Sequence, residues 1–144
     1  MGCRVHVIQR QPEYGTCGFN WKSEEFKRFL DDMGCNTSGE SYDDDFECDV
    51  GLYKKAVWAL SIYVHRKPSD ARKRKPSQKR PKRYDKFLAF LDERGLAVSD
   101  FEDAVCAMAD LDDKAKAAKE SLETMVGMLV DRDKSSSYIG FSTY

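Results

Sequence analysis

The stretch SDFEDAVCAMADLDDKAKAAKESLETMVGML, Ser99 to Leu129, decides the fold. Phe101, Ala104, Met108, Leu111, Ala115, Ala118, Leu122, Met125 and Leu129 recur at alternating spacings of three and four residues. That is the seam of a helix that buries one side. Ser99 reads as its N-cap, and Glu102, three residues on, as the acid that reaches back in a capping box. Unbroken, the seam predicts a helix of roughly 45 Å, at about 1.5 Å per residue. Its middle, Ala115 and Ala118, buries too little to hold a dimer, so the seam is expected to pack on helices of the same chain.

Upstream, Phe87, Leu88 and Leu91 mark a helix that starts near Tyr84 and ends at Gly95. A further helix, starting near Asp49, carries Val50, Tyr53, Val57, Leu60 and Val64 on one face. Trp58 and Ile62 lie off that stripe and imply a second packing surface. Nearer the N-terminus, Ser23 caps a helix whose Glu24 and Glu25 suit its dipole. Phe26, Phe29, Leu30 and Met33 form its buried face, and Gly34 stops it. Strands are expected from Cys3 to Gln9, over Phe46 to Val50, where Phe46, Cys48 and Val50 alternate with Glu47 and Asp49, and from Tyr138 to Tyr144. Loops are expected over Gln11 to Asn20 and Asn36 to Asp45.

These elements predict an α+β fold: a small sheet from N- and C-terminal strands packed with four helices, including one long C-terminal helix. With 144 residues the default is a single domain, 1–144. Within it, 1–65 forms a β-α-β-α unit, 66–83 a proline-containing basic connector, and 84–144 a helical hairpin with a closing strand. The 41% hydrophobic and 12% aromatic content argues against wholesale disorder despite 34% charged residues. No apolar run nears the roughly 20 residues of a bilayer span, and the N-terminus lacks a secretory core. Met1-Gly2-Cys3 suggests a lipid anchor, but His6 stands where the myristoylation pattern wants Ser or Thr.

The charge is concentrated. RKPSDARKRKPSQKRPKR, Arg66 to Arg83, holds ten Lys or Arg and one acid, Asp70, a formal +9. The net charge of the chain is −1, so the rest carries −10. Pro68, Pro76 and Pro81 forbid a continuous helix, and like charges extend the segment. Such a strap suits a polyanion. Arg66, Lys67, Arg72, Lys73, Arg74, Lys75, Lys79, Arg80, Lys82 and Arg83 are the candidate phosphate contacts, with Tyr84 as a stacking neighbour. No recognition helix is attached, so binding should be largely independent of sequence. Its two basic clusters also fit a nuclear localisation signal.

Asp43, Asp44, Asp45, Glu47 and Asp49 form the counterpart, an acidic surface that could mimic phosphates toward a basic groove. They do not make a calcium loop. Strand alternation separates Cys3 from His6, and Cys17, Cys35 and Cys48 make no C-x-x-C pair, so no metal is expected. Five cysteines, an odd and irregular set, suggest a reducing compartment. His65, at a helix end, reads as a capping cation or a minor phosphate contact. No phosphate loop or serine elbow occurs, and neither an enzyme nor a cofactor is expected.

The reading that results is a small non-enzymatic intracellular protein, cytoplasmic, or nuclear in a eukaryotic host. It would bind nucleic acid or a nucleoprotein complex through the connector, with no membrane partner. The alternative is a protein-binding inhibitor or adaptor of phage or mobile-element type. Such a protein would block a nucleic-acid-handling or defence enzyme, anti-CRISPR-like, with its acidic body or long helix.

Overall fold

A computed structural model describes residues 4–7, 18–20, 23–39, 46–66, 83–132 and 134–143. In chain order these form β1 (Arg4–Val7), β2 (Gly18–Asn20), α1 (Ser23–Asp32), β3 (Ser38–Gly39) and β4 (Phe46–Asp49). There follow α2 (Val50–Val64), α3 (Arg83–Glu93), α4 (Val98–Ala109), α5 (Lys114–Asp131) and β5 (Tyr138–Thr143). The fold is α+β. The strands make one antiparallel sheet in the order β2-β1-β5-β4-β3. The terminal strands are neighbours, as expected, with Val7 opposite Phe141. Two short strands, β2 and β3, lie inside segments expected to be loops. Both are edge strands held by pairing to a stronger neighbour, not by an alternation of their own.

Alternation aims Phe46 and Cys48 inward from β4, and Ile139 and Phe141 inward from β5. Phe141 is the hub. Phe26 of α1 meets it edge-on at 5.0 Å, Phe46 packs at 5.2 Å and Tyr53 of α2 at 5.8 Å. Helices therefore cover one face of the sheet, while Glu47 and Tyr138 point outward and are exposed. All four expected apolar residues of α1 are buried. Its end is clamped by Arg94. Nε donates to the Met33 carbonyl at 2.8 Å, Nη1 donates to the Phe90 carbonyl at 2.8 Å, and the guanidinium lies over the Phe90 ring. Gly34, at φ +82, makes room for it, since a Cβ there would stand 3.1 Å from Arg94 Nε.

A long C-terminal helix is present as α5, of 18 residues, but the seam does not run through it and α4 as one unbroken helix. The chain breaks into α4 and α5 at Asp110, which adopts the left-handed conformation at φ 58, and there are five helices among the described residues, not four. Three aspartates in four residues explain the break. Asp tolerates that conformation at Asp110, and the Asp113 carboxylate caps α5 by accepting from the Lys116 N–H at 3.0 Å. The buried stripe of α5 is consequently Ala117, Ala118, Ser121, Met125 and Met128, leaving Ala115 exposed.

The expected capping box does not form, and only a carboxylate reaching back to the N-cap remains. Ala97, not Ser99, is the N-cap of α4, and Asp100 reaches back to accept from the Ala97 N–H at 2.9 Å. Glu102 is taken elsewhere, as described below. In α2 the buried face is Tyr53, Ala56, Ala59, Leu60, Ile62 and Tyr63, with Val57 and Val64 only half-buried. The second surface expected from Trp58 is occupied by α3, where Trp58 meets Phe90 edge-on at 5.7 Å.

Candidate nucleic-acid interface

The basic connector is attached to the body at the C-terminus of α2 and the N-terminus of α3. Trp58 packs on Phe90, and Tyr63, five residues later, on Phe87, three residues earlier, at 6.2 Å. The two helices therefore run antiparallel, and Arg66 and Arg83 stand at the same end of the pair. Lys67, Arg72, Lys73, Arg74, Lys75, Lys79, Arg80 and Lys82 lie outside the described residues.

Arg66 is held. Its Nη1 donates to the Tyr63 carbonyl at 2.7 Å, and its guanidinium carbon lies 4.1 Å from the Tyr63 ring centroid. That combination of cation–π contact and helix-end charge favours a cation at this position. His65 also turns back on α2, with Nδ1 3.0 Å from the Ser61 carbonyl, which agrees with a helix-capping role. Arg83 is exposed at the first residue of α3. Tyr84 is half-buried, and its ring packs on Phe87 at 5.5 Å. One face of it is thus taken, which weakens the expectation that it stacks on bases.

Under this root lies a polar link that the sequence did not reveal. The hydroxyl of Tyr63 donates to Glu102 Oε2 at 2.5 Å in a part-buried bond, and Lys114 Nζ stands 3.7 Å from Glu102 Oε1. Burial, then the Glu102 carboxylate, pushes the Tyr63 phenol above the ordinary tyrosine range, only partly offset by Arg66. The chain Arg66–Tyr63–Glu102–Lys114 ties α2, α4 and α5 together where the connector departs. A helical tyrosine and a glutamate already assigned to a cap gave no signal for it.

The acidic candidates divide. Asp43, Asp44 and Asp45 lie outside the described residues, and Glu47 is exposed on β4. Asp49 is a structural residue. Its carboxylate caps α2, accepting from the N–H groups of Gly51 at 2.8 Å and Leu52 at 3.2 Å. A different acidic face appears between α1 and α4, where Glu25, Asp103 and Arg28 border a depression of about 240 Å³ floored by Phe29, Ala104 and Ala107. Asp32, at the other end of that interface, has its carboxyl raised by burial and by neighbouring Asp31 and Asp100, against the pull of Arg28.

Among the described residues no group of three or more His, Cys, Asp or Glu side chains is placed to hold a metal ion, and no helix is long and apolar enough to cross a membrane. No protein-family model, curated protein or solved structure matches the chain.

Proposed function

We propose that the protein binds nucleic acid, or a nucleoprotein complex, through the Arg66–Arg83 connector and largely without regard to sequence. The observation that carries this reading is the pairing of charge with attachment. Ten cations fall within one 18-residue run, and both ends of that run leave the same end of the α2–α3 pair. The described ends of the run, Arg66 and Arg83, thus lie at one end of the helix pair, so the run is tethered there at both ends. Ten cations in so short a run would neutralise neighbouring phosphates together and release their counterions.

Fluorescence anisotropy on generic DNA and RNA across a salt series tests it. Contact with about six phosphates should give a log–log slope near −5, and replacing the connector by Gly/Ser should abolish binding. Salt-insensitive binding, or binding retained by the replaced chain, would overturn the proposal.

A second reading rests on the α1–α4 face. Glu25, Asp32, Asp100 and Asp103 collect along one helix pair, and such a face could occupy a basic groove in place of phosphates. That role belongs to a protein-binding inhibitor or adaptor of a nucleic-acid-handling or defence enzyme. A partner pull-down that survives replacement of the connector, but not charge reversal at Glu25 and Asp103, would favour it.

A further inference from the structure

α1 carries Glu24, Glu25, Asp31 and Asp32 against Lys27 and Arg28, while α4 carries Asp100, Glu102 and Asp103 and no Lys or Arg. The depression between these helices is therefore set in a strongly negative pair, yet its floor of Phe29, Ala104 and Ala107 is apolar. On its rim, Arg28 has Asp32 one turn further along α1 as a countercharge. Among the described residues neither Glu25 nor Asp103 takes part in an ion pair. An apolar floor beneath two such carboxylates suits a side chain with a long apolar stem and a cationic head, which is Lys or Arg.

Side chains of that kind begin close by. Phe29 packs on Phe101 at 5.9 Å, and Phe101 packs at 5.4 Å on Tyr63, whose ring and carbonyl hold Arg66. Asp103 directly follows Glu102, the partner of the Tyr63 hydroxyl. The 16 residues 67–82, between Arg66 and Arg83, include eight Lys or Arg and one acid. Half of that length, fully extended, spans up to about 26 Å. That is well beyond the two ring contacts that separate the seat of Arg66 from the floor of the depression.

We propose that the α1–α4 depression is a docking site for the chain's own basic run, residues 67–82. One Lys or Arg of the run lies on the Phe29–Ala104–Ala107 floor and is held by Glu25 and Asp103. An exposed ion pair is weak on its own. Tethering at both ends makes this contact intramolecular, at an effective concentration of the order of millimolar, which fills even a weak site. The acidic face then acts as an internal counterion, and an outside polyanion binds the run only by displacing it. Docking does not depend on what that polyanion is. The test contains no nucleic acid, so it can fail while the nucleic-acid reading holds, and the reverse.

The test is zero-length carbodiimide cross-linking of the full chain at low salt, with chymotryptic peptides mapped by mass spectrometry. An equal mixture of unlabelled and nitrogen-15 chains separates links within a chain from links between chains. Links from Glu25 and Asp103 to Lys67, Lys73, Lys75, Lys79 or Lys82 should exceed those from Glu120 and Glu123, exposed acids of α5, several-fold. They should join residues of one chain and fall away in about 1 M NaCl, where the Debye length is about 3 Å. Ala107→Lys, at an exposed position, sets a fixed cation over the floor and should lose the same links, with its fold checked by circular dichroism. In amide NMR spectra, replacing residues 67–82 by Gly/Ser should shift Asp103, Ala104 and Ala107 and leave Glu120 and Glu123 in place. Links spread evenly over exposed acids, links mainly between chains, links kept by a folded Ala107→Lys chain, or depression amides unmoved by the replacement would each overturn the proposal.

Discussion

Buried polar atoms are where single residues matter most in this molecule. Ser121 is fully buried in α5, and its hydroxyl finds no hydrogen-bond partner among the described residues. An unsatisfied hydroxyl carries a desolvation penalty, so Ser121→Ala should stabilise the protein by about 1 kcal/mol, seen as a Tm rise of about 3 °C. An unchanged or lowered Tm would show that the hydroxyl is in use. Tyr63 is the opposite case, because its hydroxyl bonds a carboxylate at a part-buried site. Tyr63→Phe should lower stability by about 1–2 kcal/mol. Its raised pKa also fixes a pH dependence. The folded state holds the phenolic proton more tightly than the unfolded chain, so stability is full below pH about 10 and falls as pH rises past it. Thermal melts between neutral pH and the alkaline limit should show that fall, and Tyr63→Phe should remove the part due to this residue.

At the scale of elements, the break between α4 and α5 separates what the sequence makes legible from what it hides. The seam spacing runs through Met108, Leu111 and Ala115 without a flaw, because a turn of suitable length preserves the count while it redirects the chain. The counter-signal was local: Asp110, Asp112 and Asp113 together are poor helix formers, and one of them is a good cap. Asp113→Ala should therefore lower stability by about 1 kcal/mol through loss of the α5 cap. Asp110→Val should lose about 1–2 kcal/mol from the left-handed position, and Asp110→Gly should be tolerated. Chemical denaturation followed by circular dichroism checks all three. If Asp110→Val proved harmless, the left-handed turn would be wrong. By contrast α1 was legible throughout, since it packs on one side only. The stripe of α2 was misjudged, because α3 on one flank and the sheet and α5 on another bury more of its circumference than a single face. Two helix starts overlap in the sequence at Ala97 and Ser99: Asp100 accepts from the Ala97 N–H, while Glu102 accepts from Tyr63 instead of reaching back to Ser99.

For the whole molecule, the sequence showed how much charge the connector carries but not where it is carried. That its two ends share one pole depends on Trp58 meeting Phe90 and Tyr63 meeting Phe87, contacts between helices that no local pattern encodes. The acidic face of α1 and α4 was hidden for the same reason, its members being 75 or so residues apart in sequence. In the sheet β5 lies between β1 and β4, yet it comes after every other described element. The hairpin-like pairs β1–β2 and β3–β4 have no contact with each other in the sheet except through it. Truncation after Ser137 should accordingly leave a chain with helical circular dichroism but no cooperative thermal transition, and a sharp melt from that chain would refute the inference. During translation both outer pairs would emerge long before the strand that joins them. Until β5 leaves the ribosome, the facing edges of β1 and β4 stay open to any passing strand.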